Sequence, residues 1–291
     1  MKAIGRGVNY SLKRAVMEKV ARVIYRGGGA GRAWGLVPGR TTVDLIEHRF
    51  AVLPGGRGRA SRSLRVAFAS DLHIGPLTSP ALLDNAFALL TAARPDVLVL
   101  GGDYVFLDAT PAMARELEQR VAGVPAAAKL AVLGNHDLWT RHDLIEAALA
   151  RAGVQVLVNQ ATRLPAPFDD VAIIGLDDPF AGHPVAEPAL LEAAGAAFRL
   201  GVVHSPEGLP LLAGQGVGLV LCGHTHGGQI ALPSGPVVVH GKQGRRFPAG
   251  LFDVGDTRLF VSRGLGMVEL PFRMYARPDV SVFTLIPAAG S

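Results

Sequence analysis

His224 and His226 stand two residues apart in Leu221-Cys222-Gly223-His224-Thr225-His226-Gly227-Gly228-Gln229, at the end of an apolar, β-prone run that begins at Val217. In extended backbone that spacing aims both imidazoles to one side, where they can share a cavity. Paired imidazoles on one cavity are a metal-site arrangement. The glycines at 223, 227 and 228 carry no Cβ and admit close approach of a ligand. Two histidines alone would also suit a polar loop. Four further groups remove that reading: Asp71-Leu72-His73, Gly102-Asp103, Gly134-Asn135-His136-Asp137 and His204. Any one of them alone would pass for a cap, a turn or a satisfied core residue. Together they place metal-capable side chains after one strand-like run after another.

Those runs are the elements that must do the positioning. Residues 64–69, 97–100, 129–133, 171–176, 199–203 and 217–222 are short and apolar, of strand length. Helices with legible ends lie between them. Ser79-Pro80 supplies a cap and first-turn proline for a helix that stops before Pro95, and Thr110-Pro111 does so for one ending near Gly123. Thr140 with Asp143 reads as a capping pair for a helix that stops at Gly153. Residues 237–239, 259–262 and 280–285 look like strands with turns between them. The chain is therefore α/β, with a strand-rich second half that favours sheets packed together and helices outside. The carboxyl ends of strands in an open α/β sheet face one crevice, so five segments deliver their polar tips to one place. Carboxylate, carboxamide and imidazole form a mixed nitrogen and oxygen set suited to Mn, Fe or Zn rather than calcium. Loops at 165–167 and 177–188 could border the site.

A length of 291 residues can bury a full core. The single cysteine, Cys222, excludes an intramolecular disulfide and a thiolate zinc cluster. The formal net charge of +5 is unevenly placed: residues 1–65 hold 14 Lys/Arg against 3 Asp/Glu, the rest 15 against 21. The division expected is a basic N-terminal extension over residues 1–63 and a catalytic domain over 64–291. Few aromatics interleave the basic residues, which speaks against nucleic acid and for an anionic surface such as a membrane. From Tyr10 to Arg26, Leu12, Val16, Met17, Val20, Val23 and Ile24 fall on one side of a helical wheel and Arg14, Glu18, Lys19, Arg22 and Arg26 on the other. Such a helix either lies on a membrane or covers the catalytic body; both remain open. Gly27-Gly28-Gly29 should end it, and residues 57–62 read as a surface turn. No apolar run reaches spanning length and no secretory signal is apparent, so the expected location is cytoplasmic, peripheral on the inner face of the cytoplasmic membrane.

Asp-x-His, Gly-Asp, Gly-Asn-His-Asp, a lone His and Gly-His-x-His, in this order, resemble the five blocks of the calcineurin-like metallophosphoesterase superfamily. The resemblance implies a four-layer αββα sandwich with a two-metal site. It implies that Asp71, His73, Asp103 and His226 hold one divalent metal and Asp103, Asn135, His204 and His224 the other, with Asp103 bridging. Mn is the ion expected to support activity in vitro. A carboxylate bridge suits two cations about 3.5–4 Å apart, which together activate a hydroxide and clamp phosphate oxygens. His136 resembles the family's non-ligand histidine, which stabilises the transition state or protonates the leaving oxygen, and Asp137 would orient it. The full Gly-His-Thr-His-Gly-Gly-Gln-Ile form, Ser262-Arg263-Gly264-Leu265-Gly266, Arg273 and Arg277-Pro278 are similar to a bacterial phosphodiesterase branch, some of whose members cleave the pyrophosphate of UDP-2,3-diacylglucosamine. Arg245, Arg246, Arg263 and Arg273 are candidate substrate-phosphate contacts. The expected function is hydrolysis of a phosphodiester or pyrophosphate bond, on a lipid-linked substrate. A phosphomonoesterase of nucleotides or phosphoproteins, or a metal-binding membrane scaffold without turnover, are the alternatives.

Overall fold

The apolar runs fold as strands with both faces buried, which requires a core on either side of each sheet. A computed structural model describes residues 4–53 and 63–288. In chain order the strands are β1 (Asp44–Leu53), β2 (Leu64–Ala69), β3 (Val97–Leu100), β4 (Ala128–Ala131), β5 (Gln155–Val156), β6 (Gln160–Arg163), β7 (Val171–Gly175), β8 (Phe198–Val202), β9 (Leu219–Cys222), β10 (Ala231–Leu232), β11 (Gly235–Pro236), β12 (Gly250–Val254), β13 (Thr257–Val261) and β14 (Asp279–Pro287). One six-stranded sheet runs β1-β14-β2-β3-β4-β5 and another β12-β13-β9-β8-β7-β6, with β10 and β11 as a separate hairpin. The helices are α1 (Leu12–Ile24), α2 (Gly29–Gly35), α3 (Pro80–Ala92), α4 (Pro111–Ala122), α5 (Asn135–Trp139), α6 (His142–Arg151), α7 (Glu187–Glu192) and α8 (Lys242–Arg246).

Period-two alternation sorts the strand residues between cores. Val66, Phe68, Val97, Val99, Leu219 and Leu221 meet Phe260 and Phe283 between the two sheets. Ala67, Leu98 and Leu100 face the other way, against Leu83 and Leu90 of α3 and Leu117 of α4. Val220 and Cys222 lie under the outer layer of the second sheet, with Ala189 of α7 and Leu209. The result is helices, sheet, sheet, helices, the four-layer αββα sandwich that the resemblance implies. Two pairings set up the site. Parallel register aligns Ala69, Leu100 and Ala131, the ends of β2, β3 and β4, and aligns Val202 with Leu221 near the ends of β8 and β9. The loops that follow leave both sheets at the same edge.

Several local expectations change. Ser79 and Thr110 occupy N-cap positions, and the Thr110 hydroxyl accepts from Met113 N. Thr140 instead accepts from Ala109 N at 2.9 Å, leaving Arg141 at the N-cap of α6. Residues 237–239 form no strand and line a cleft beside the hairpin. β1, inside the expected extension, is the edge strand of the first sheet, paired in parallel with β14. Its inward residues Ile46, Phe50 and Val52 pack on the core between the sheets. The turn expected at 57–62 lies outside the described residues. Among the described residues no helix is long and apolar enough to cross a membrane.

Candidate metal centre

The loops after β2, β3, β4, β8 and β9 interlock. Asp71 N donates to Gly102 O at 2.9 Å, His73 N to Asp103 O at 3.1 Å and Gly223 N to His204 O at 2.8 Å. His204 Nδ1 bonds Gly101 O at 2.7 Å and so ties the second sheet's loops to the first's. This leaves its Nε2 3.2 Å from an Asp103 oxygen. Gly134 and Gly223 precede their motif residues because a Cβ there would collide with the Asp103 carboxylate and the Asp71 carboxylate respectively. Five of the expected ligands, Asp71, His73, Asp103, His224 and His226, have positive φ between 43° and 69°. Non-glycine residues in that region cost on the order of 1 kcal/mol or more each, so the surrounding loops hold them there against local preference.

Six of the seven expected ligands converge, and Asn135 lies at the start of α5. Ligand atoms of Asp71, His73 and His226 lie within 4.8 Å of one another, as do those of Asp103, His204 and His224. A third such group is His73, Asp103 and His136, so Asp103 belongs to two of the three. His73 Nε2 is 3.1 Å from His226 Nε2. His224 Nδ1 is 3.3 Å from His204 Nε2, and the ring stacks on Phe180 at 4.5 Å. Asn135 Oδ1 and His224 Nε2 are buried without a hydrogen-bond partner. Buried polar atoms are rarely left so, and an orphaned carboxamide oxygen and imidazole nitrogen on two of the expected ligands fit divalent cations. Burial drives His73 down to about 4 and His224 down to about 3, which keeps both rings neutral with a lone pair to offer. Burial acts to raise Asp103, but His204, His136 and His73 hold its carboxyl well below the usual range.

The outer residues depart from expectation. Asp137 does not touch His136; its oxygens accept from Asp103 N at 2.7 Å, Tyr104 N at 2.8 Å and Gly134 N at 2.9 Å. At the third position of its short helix, its carboxylate can reach only backbone, and it fixes the Asp103 loop rather than the imidazole. Burial and nearby Asp103 push it up to about 8, against the pull of the amides. What touches His136 is Arg14, from α1: Nη2 lies 2.9 Å from Nε2 and 3.1 Å from Nδ1. Burial first, and then Arg14, place the His136 pKa well below the imidazole norm. Of the four candidate phosphate arginines, Arg245 and Arg246 are exposed on α8, with Arg246 over the Phe247 ring. Arg263 is engaged by Asp279 at 2.8 Å and Asp44 at 3.1 Å. Arg273 is buried, donating to Gly266 O, Arg263 O, Ala276 O and, at 3.0 Å, to His226 Nδ1. It sets the His226 ring from behind. Arg14 was visible in the sequence only as one charge on the polar side of a helix.

With this geometry the chain belongs to the calcineurin-like phosphoesterase family, which matches over residues 64–228. It is a hydrolase of the metallophosphoesterase type, with Asp and His residues clustered so that they can bind metal ions. Phosphodiesterase YaeI of Escherichia coli (strain K12) is 30% identical over 280 residues, which cover 94% of this chain and 99% of that protein. The uncharacterized metallophosphoesterase YkuE of Bacillus subtilis (strain 168) is 29% identical over 276 residues, 91% of this chain and 92% of its own. Among solved structures, the NAD nucleotidase NadN of Haemophilus influenzae aligns over 70% of this chain and 45% of its own, at 13% identity and a TM-score of 0.46.

Proposed function

We propose that this chain is a dinuclear metal-dependent phosphodiesterase or pyrophosphatase that works at a membrane surface on a lipid-linked phosphate ester, of which UDP-2,3-diacylglucosamine is one. In this reading Asp71, His73, Asp103 and His226 would hold one cation and Asp103, Asn135, His204 and His224 the other, Asp103 serving both. Held there, divalent cations would supply Lewis-acid polarisation of phosphoryl oxygens and activation of water at neutral pH. The protein's own groups do the rest. Asp137 fixes the backbone that carries Asp103, Arg273 sets the His226 ring, and His136 stands beside His73 with its ring centroid 4.8 Å away, placed to stabilise charge on a leaving oxygen.

The observation that carries the membrane part is the orientation of α1. Its polar side faces the body: Ala15 and Glu18 are buried and Arg22 pairs with Asp108 at 2.6 Å. Its apolar side faces out, with Leu12 67%, Val16 55%, Val20 49%, Val23 73% and Ile24 65% exposed. An apolar stripe turned away from the core needs an apolar partner, and exposed Lys13, Lys19, Arg26 and Arg32 beside it favour one with anionic headgroups. Two mainly apolar clefts share Glu269, and one of them reaches His224 and His226. One of about 270 Å³ lies between α1 and Phe106, Leu107 and Glu269; another of about 290 Å³ runs from His224 and His226 along Ile230, Val237, Val238 and Leu270 to the same Glu269. Such walls suit acyl chains. The test is chelated protein reloaded metal by metal, assayed on bis-p-nitrophenyl phosphate, p-nitrophenyl phosphate and UDP-2,3-diacylglucosamine, with and without anionic vesicles. Diester turnover that needs metal, and lipid-substrate turnover raised by vesicles, support the reading. Turnover of the monoester alone overturns it in favour of a phosphomonoesterase, and no turnover leaves the scaffold.

A further inference from the structure

We propose that Arg14 binds the substrate's phosphate oxygens, which makes the N-terminal segment a working part of the catalytic centre. The inference rests on the phosphoesterase reading and assigns to it a group from outside residues 64–228. Arg14 Nη2 is almost equidistant from the two nitrogens of His136, so it sits against the ring rather than on one lone pair. Its Nε donates to Glu18 Oε1 at 2.9 Å, and its guanidinium carbon lies 4.5 Å above the Trp139 ring. Among the described residues Nη1 has no hydrogen-bond partner. A guanidinium offers five donors in a planar fork that matches two oxygens of a phosphate, and here one arm of the fork is unused. The imidazole brings no negative charge to Arg14. A phosphate held at the metal ligands would bring it, one residue away from His73.

The placement is built rather than incidental. Arg6 makes two 2.8 Å bonds to the Asp177 carboxylate, Gly7 N donates to Leu138 O and Val8 N to Ala181 O, both at 2.8 Å. Trp139 Nε1 donates to Val8 O at 2.7 Å, and Tyr10 packs on Trp139 at 5.9 Å. Residues 4–10 are thereby tied to α5, which carries Asn135 and His136, and to the loop carrying Phe180, which stacks on His224. A cation fixed in advance at the site costs little ordering when the anion arrives.

The test uses full-length, metal-loaded protein in a Trp34→Phe background, so that Trp139 under Arg14 is the reporter, with inorganic phosphate as the probe. Arg14→Gln should keep both metals, raise the phosphate dissociation constant read from Trp139 emission by about 10–100-fold, and raise KM for bis-p-nitrophenyl phosphate more than it lowers kcat. Arg14→Lys, which keeps the charge and loses the fork, should fall between. Phosphate affinity within about twofold of the parent in Arg14→Gln or in Arg14→Lys overturns the assignment of a binding fork, as does loss of metal from the glutamine variant. A parent protein that binds phosphate through Arg14 and hydrolyses no ester would instead overturn the phosphoesterase reading and leave Arg14 standing.

Discussion

Among the described residues Asp103 is the carboxylate shared by two of the groups that could hold a metal, as His73 is the shared imidazole. Asp103 sits at φ 56° and accepts from His136 N at 2.8 Å through the oxygen not facing His204. Asp103→Asn keeps the shape and removes the charge that would stand between two cations. It should abolish turnover and lower the content of both metals, measured by elemental analysis of purified protein; two metals at full occupancy with normal turnover would sink the bridging role. His136→Ala is a different case, since the ring touches the site from the side. It should leave metal content near normal and cut turnover by roughly 10²–10⁴. The cation of Arg14 at the ring disfavours an imidazolium, so the loss should be similar for good and poor leaving groups, as charge stabilisation requires. A loss confined to poor leaving groups would restore the proton-donor role. The candidate ligands were legible because their identity and their place after an apolar run are local facts. Arg14, Asp137 and the arginines were not, because the partner each side chain meets depends on how other segments fold: His136 is 122 residues from Arg14, Asp103 is 34 from Asp137 and Asp279 is 16 from Arg263.

At the scale of elements, α1 shows the same division. Its wheel displays two faces in the sequence and does not say which turns inward, because that depends on Asp108 and His136 on other elements. The polar face covers the body, which leaves the apolar face for the membrane contact proposed above. Leu12 and Val23 are the outermost of the apolar stripe and line neither cleft. Leu12→Glu with Val23→Glu places two carboxylates where headgroups would lie. It should abolish salt-sensitive sedimentation with anionic liposomes while hydrolysis of bis-p-nitrophenyl phosphate stays within about twofold. Unchanged sedimentation would remove lipid as the partner of this face. β1 was also legible in principle: Ile46, His48, Phe50 and Val52 alternate with Leu45, Glu47, Arg49 and Ala51. Basic residues crowd the same stretch of chain, so its net charge masks its period.

The whole molecule is closed by its N-terminal fifth, and two experiments follow. Burial acts to raise Asp177, but the Arg6 bonds and the amides of His183 and Asp178 bring its pKa below the ordinary 3.8. A depressed carboxyl contributes stability in full above its unfolded pKa and loses it as pH falls through the folded value. The stability gap between the parent and Asp177→Asn, from denaturant unfolding, should therefore be wide near about pH 7 and narrow below about pH 3.8. A gap independent of pH would mean that the Arg6 pair contributes nothing. The second experiment concerns the division at residue 63, which treats residues 1–60 as detachable. Removing them takes away β1, leaves β14 paired with β2 alone and uncovers the side of the core that Ile46, Phe50 and Val52 cover, where His48 also packs on Phe260 and Phe283 at 5.4 and 5.3 Å. Each lost apolar contact of that kind costs roughly 1–3 kcal/mol, against a total stability on the order of 5–15 kcal/mol. The protein beginning at residue 61 should aggregate or melt far below the parent in a thermal scan. Removing residues 1–27 alone spares β1, so that protein should stay folded with both metals, ignore liposomes and bind inorganic phosphate about as weakly as Arg14→Gln. A chain starting at residue 61 that is folded, metal-loaded and normal in phosphate affinity would show that neither β1 nor Arg14 belongs to the working enzyme.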